Sequence, residues 1–214
     1  MIRFVFGGFT FEFTFLFAAT VTFCLLTDES GVSALAMSAC LLHELGHLLA
    51  FAAAGSRPRA MVFELTGIRL VPPERAPGFA QNLLIQSGGV LANLACGAAF
   101  WASGFSTAAA VHLALACFSL LPLRTLDGGQ LLSAVLTRYA PVRGARAAAF
   151  LDAAATAALC ALCGYMLFSG SRSVTMLVFS GGLAASLSGG LLCGLSRRRK
   201  ERREALCAGK RGRR

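Results

Sequence analysis

His43-Glu44-Leu45-Gly46-His47 lies inside an almost wholly apolar run, Ala34 to Ala54, that is long enough to cross a bilayer. Two histidines four residues apart on a helix share one face, so their imidazoles can grip a single metal ion. A glutamate directly after the first histidine stands where it can take a proton from a water activated by that ion. Placing such groups at membrane depth is costly, and an intramembrane ionisable residue is a functional candidate by default. The pattern therefore predicts a membrane helix carrying a metal site, with His43 and His47 as ligands and Glu44 as general base.

The composition agrees. Of 214 residues, 56% are hydrophobic and 14% charged, and mean hydropathy is +0.68. Those values exclude an ordinary soluble domain and point to a polytopic membrane protein. The net charge of +10 is not a nucleic-acid signature, because 10 of the 20 Lys and Arg fall between Arg197 and Arg214 with no aromatic residues among them. A basic block that follows an apolar run reads as a cytoplasmic flank touching anionic headgroups. No nucleic-acid partner is expected. The eight cysteines are scattered. Cys160 and Cys163 form a C-x-x-C, but with no second pair they are expected to be small buried packing residues. No cleavable signal peptide is expected at the Phe-rich N-terminus.

Outward from the histidine segment, the pattern predicts about six spans. The first uses some part of the stretch from Phe9 to Leu26; the next two cover residues 32–54 and 81–103. The last three cover residues 106–121, 147–168 and 174–195, and Leu126 to Tyr139 reads as a shorter amphipathic helix. The alternation Phe9-Thr10-Phe11-Glu12-Phe13-Thr14-Phe15, preceded by Ile2–Phe6 and Gly7-Gly8, is hairpin-like. It leaves the boundary between strand and first helix open. Met61–Leu65 and Ile68–Val71 around Thr66-Gly67 suggest a second small hairpin. Arginines cluster after the second and fourth spans and in the tail, with Arg172 the exception. Six spans with both termini cytoplasmic put these clusters on one side, and the hairpins at the cytoplasmic membrane face. The domains expected are an integral membrane domain, residues 1–195, and a basic cytoplasmic tail, residues 196–214.

Catalytic zinc usually takes three protein ligands and leaves the fourth position open. The candidate third ligand is Asp127 in Leu126-Asp127-Gly128-Gly129, beyond the break at Pro122, where paired glycines permit close backbone approach. Asp152 is expected to pair with a basic group such as Arg146 or to sit at the membrane interface, and Glu12 faces the same choice. His112, alone in the fourth span, is expected to be a satisfied buried side chain.

These residues resemble the site-2 protease family of intramembrane zinc metallopeptidases, in particular its compact bacterial branch, which includes the protease that processes a sporulation sigma factor. That family joins its H-E-x-x-H helix to an N-x-x-P-x-x-x-x-D-G segment. The segment here runs from Ser119 through Pro122 to Asp127-Gly128, with Ser119 in place of the asparagine. Gly89-Val90-Leu91-Ala92-Asn93 fits the family's G-x-x-x-N helix. The resemblance covers about Ala34 to Ser133.

It implies a Zn2+ cofactor held by His43, His47 and Asp127, with Glu44 as base and then proton donor to the leaving amine. It implies that Asn93 holds substrate backbone or the developing oxyanion; a plain interhelical hydrogen bond is the other reading of Asn93. Ser119 is shorter than asparagine, which leaves a substrate-binding role there in doubt. The strands Ile2–Phe6 and Met61–Val71 would clamp an extended substrate. The expected activity is endoproteolysis in or next to a transmembrane segment of a membrane protein, in the lipid bilayer of a cell membrane. Control would fall to a regulatory membrane partner, prior trimming of the substrate, or access. The alternatives are a non-proteolytic relative acting as scaffold or regulatory partner, and a metal transporter. A transporter would want acidic or histidine groups along a whole path, where this chain offers one cluster.

Overall fold

The structure is a computed structural model that describes residues 2–6, 9–64, 67–74 and 76–168. The expected sixth span and the basic tail lie outside the described residues. Chain order is β1 (Ile2–Phe6), β2 (Phe9–Phe13), α1 (Phe15–Thr27), α2 (Val32–Ala53), β3 (Ala60–Glu64), β4 (Gly67–Val71), α3 (Phe79–Ala102), α4 (Ser106–Ser119), α5 (Asp127–Tyr139) and α6 (Pro141–Phe168). The molecule is mostly helical, with one small sheet.

The two anticipated hairpins join into a single four-stranded sheet of order β1-β2-β3-β4. The β1–β2 and β3–β4 pairs are antiparallel, whereas β2 and β3 run parallel with Phe11 opposite Met61 and Phe13 opposite Phe63. A parallel pair needs a long crossover, and α1 with α2 supplies it. The aromatic alternation explains the central pairing. Phe13 stacks on Phe63 at 4.1 Å between ring centroids, and Phe17, from the first turn of α1, meets the same ring at 5.2 Å.

Thr14 marks the strand–helix boundary that the sequence left open. Its amide donates to Phe63 O at 3.0 Å and so extends the sheet, while its hydroxyl accepts from Phe17 N at 3.2 Å and caps α1. Glu12 lies directly opposite Arg3 across β1–β2 and pairs with it at 3.4 Å, which accounts for a carboxylate in an aromatic strand.

Among the described residues three helices are long and apolar enough to cross a membrane: α2, α3 and α6. The others fall short for local reasons. Five residues of the first apolar stretch are spent in β2, leaving α1 with 13 residues, and α4 stops at 14 residues before the Pro122 turn. At 1.5 Å per residue each covers roughly 20 Å of a ~30 Å hydrocarbon core.

The turn from α1 to α2 is polar. Asp28 accepts hydrogen bonds from Ser30 and Ser33, which hold its carboxyl down at about 2.

Two smaller expectations change. Asp152 does not pair with Arg146; its Oδ1 accepts from the backbone amide of Arg124 at 2.8 Å, so it ties α6 to the turn before α5. A bare amide competes well for a carboxylate because its position is already fixed. Cys160 is exposed rather than buried, because α6 is exposed around most of its circumference, with Phe150 and Leu162 on other sides of it; the side chain of Cys163 is not described.

Candidate metal centre

The site forms where α2, α3 and the start of α5 meet. Glycine sets how closely α2 and α3 pack. A Cβ on Gly46 would lie 2.5 Å from both Gly88 O and the Ala92 methyl, and one on Gly88 would lie 2.6 Å from Gly46 O. Two backbones this close place the buried face of α2, with His43 and His47, directly on α3. Gly89 lies beneath the rings: a Cβ there would be 2.5 Å from Nε2 of both histidines.

The third group arrives from the other side. After α4 the chain turns through Pro122, with Leu123 buried at 2% exposure, and re-enters as α5 with Asp127 in its first turn. A helix N-terminus favours a carboxylate there. Gly128 and Gly129 allow the turn to lie against the new helix, since a Cβ on either would collide with Leu120 O or Leu123 O. The paired glycines thus serve the close approach their sequence suggests.

His43 Nε2, His47 Nε2 and Asp127 Oδ2 form a triangle. The sides are 2.9 Å from His43 to Asp127, 3.2 Å from His47 to Asp127 and 3.2 Å between the histidines. A tetrahedral zinc ion with bonds of ~2.0–2.1 Å separates its ligands by about 3.3 Å, so the triangle is close to one face of that tetrahedron. Two imidazoles and one carboxylate are also a donor set that zinc accepts with an open fourth position. The residues present fit the ion.

The rings are fixed from behind. His47 Nδ1 donates to Ile85 O at 2.7 Å, which leaves Nε2 bare for a ligand bond. His43 Nδ1 lies 3.0 Å from Asn93 Nδ2. Asn93 is 0% exposed, and its Oδ1 lies 2.9 Å from His112 Nδ1. Both ends of this amide meet histidines, in the geometry of an interhelical hydrogen bond, and it offers no open face to a substrate. Ser119 is buried as well, at the end of α4. His112 is the satisfied buried side chain expected.

In front of the triangle lies a cavity of about 210 Å³, lined among others by Glu44, His47, Asp127, Thr125 and, from β4, Ile68, Arg69 and Leu70. Glu44 therefore shares open space with two of the three candidate ligands. Gln86 and Gln130 wall the same space and bond to one another at 2.8 Å. These glutamines and Thr125 escaped the sequence reading. Gln130, one turn past Asp127, was the available signal.

No protein-family model matches the sequence, and no curated protein does. The fold, however, is a known one: it is the fold of the site-2 proteases. The chain is similar in structure to the Site-2 Protease from Methanocaldococcus jannaschii, with a TM-score of 0.64 and 20% identity over 88% of this chain and 94% of that one.

Proposed function

We propose that the chain is a zinc endopeptidase of the site-2 protease type, of the compact branch, that hydrolyses a peptide bond in or beside a transmembrane segment of a membrane protein. The observation that carries the reading is the convergence of His43 Nε2, His47 Nε2 and Asp127 Oδ2 within 3.2 Å beside a cavity that Glu44 lines. When bound, zinc supplies a Lewis acid that polarises the scissile carbonyl and makes water nucleophilic near neutral pH.

The chain's own groups do the rest. His43, His47 and Asp127 hold the ion. Glu44 removes a proton from the attacking water and delivers it to the leaving nitrogen as the C–N bond breaks. A helical substrate hides its carbonyls, so it must enter extended. β4 is suited to receive it, being an end strand of the sheet with Ile68, Arg69 and Leu70 on the cavity. Asn93 serves the metal site through His43 rather than touching substrate.

Residues 1–195 would form the membrane domain and 196–214 a basic tail, with both termini cytoplasmic by the arginine distribution. The apolar helices and the fold support a multi-pass place in the cell membrane and a membrane-protein substrate.

The test is Glu44→Gln. It spares all three ligands, so zinc content should stay at the wild-type level while cleavage slows by about 100- to 10,000-fold. Comparing membrane proteomes of cells carrying wild-type and Glu44→Gln protein should reveal an accumulating precursor; unchanged proteolysis by the variant overturns the assignment. Asp127→Ala should lose most of its bound zinc, and full retention would remove it from the ligand set.

A further inference from the structure

The chemistry above has no use for His112, yet this histidine is 2% exposed and carefully placed. Its ring stacks on Phe100 with centroids 5.3 Å apart and planes 26° from parallel. Gly97 faces it on α3, where even a Cβ would stand in ordinary contact at 3.5 Å from Ala109 O and His112 Cβ. Its Nδ1 meets Asn93 Oδ1 at 2.9 Å, and Asn93 Nδ2 meets His43 Nδ1 at 3.0 Å. Gly89, Asn93, Gly97 and Phe100 follow one stripe of α3, so a single helix face carries the line from the metal triangle to His112.

We propose that His112 is a positioning residue that acts through Asn93 to set the ring orientation and tautomer of His43. The inference rests on the reading of His43 as a metal ligand.

The direction follows from counting protons. The two ends of the Asn93 amide reach His112 Nδ1 at 2.9 Å and His43 Nδ1 at 3.0 Å. A ring nitrogen that carries a proton has no lone pair for a metal, so a His43 that offers Nε2 holds its proton on Nδ1. The amide oxygen of Asn93 then accepts that proton and its N–H donates to His112 Nδ1, which leaves the His112 proton on Nε2.

Histidine suits position 112 because its bare ring nitrogen can accept from the buried amide. An apolar residue would leave one end of that amide unpaired. His47 needs no such relay, because its partner Ile85 O accepts directly.

The experiment uses the full chain in detergent. Zinc affinity is measured by competition with a chelator for wild type, His112→Leu and His112→Asn. His112→Leu should bind about 10- to 100-fold more weakly. His112→Asn should recover most of the loss, because its amide oxygen can also accept from Asn93. Equal affinity of His112→Leu and wild type, or no recovery with asparagine, overturns the proposal.

Nitrogen-15 histidine NMR of the wild-type protein supplies a readout that needs no variant to fold. With zinc bound, His43 should be protonated on Nδ1 and His112 on Nε2. A zinc-loaded His112 protonated on Nδ1 refutes the relay while leaving the metal site standing. A wild-type protein that takes up no zinc removes the metal reading, and this inference falls with it.

Discussion

Along the seam between α2 and α3 the deciding residues are the smallest in the chain, whereas in the sheet they are among the largest. At the seam Gly46 and Gly88 bring two backbones together, and Gly89 leaves room for the Nε2 atoms of both histidines. In the sheet Phe13 and Phe63, with Phe17 from the helix beside it, fill space with aromatic rings, and none of the three lines the cavity at the triangle. The seam therefore encodes a geometry and the sheet encodes stability. Damage to the first should abolish function in a folded protein. Damage to the second should weaken the fold and spare the site in whatever remains folded.

Gly89→Val should break the comparison most sharply. Its side chain would enter the volume of the two Nε2 atoms, and bound zinc, measured by metal analysis of purified protein, should fall to near zero. Normal zinc content in that variant would mean that the seam is not what shapes the site. Phe63→Ala should lower stability by about 3–5 kcal/mol, read from denaturant or thermal unfolding, with zinc affinity of the folded fraction unchanged. Gly46→Ala sits between the two. Overpacking a contact this close should cost about 1–3 kcal/mol and loosen zinc binding as well, because the helix that carries both histidines must shift. At the small end, Arg3→Ala removes a largely exposed pair on the outer strand of the sheet. A change of about 0–1 kcal/mol is expected, with no effect on metal.

The same contrast explains what the sequence made legible. Histidines four apart announce a shared helix face, and Asp127 stood out because proline before it and glycines after it signal a turn tight enough to bring a carboxylate back. The alternation in Phe9–Phe15 and the hairpin pattern of Met61–Leu65 and Ile68–Val71 were readable locally. The parallel pairing of β2 with β3 was not, since nothing local tells a strand to take a second partner some fifty residues away besides its tight neighbour. The shortness of α1 was hidden because phenylalanine alternation and helix hydrophobicity overlap at Phe9–Phe15. The carboxylate of Asp152 found a backbone amide, which has no residue type to read. His112 was legible as buried, but its line to His43 runs through Asn93, and such a relay appears only when two helices are seen side by side.

The parallel pairing of β2 with β3 has a consequence for synthesis. The ribosome releases β1 and β2 first, and the inner border of β2 must wait, with its amides and carbonyls unmatched, until α1 and α2 have been made and β3 emerges. An unmatched border of this kind is where nascent chains stick to one another. Asp127 comes later still, so a chain that has only just finished its sheet lacks the third corner of the triangle. Birth order alone keeps that three-residue cluster incomplete until the fifth helix has been translated.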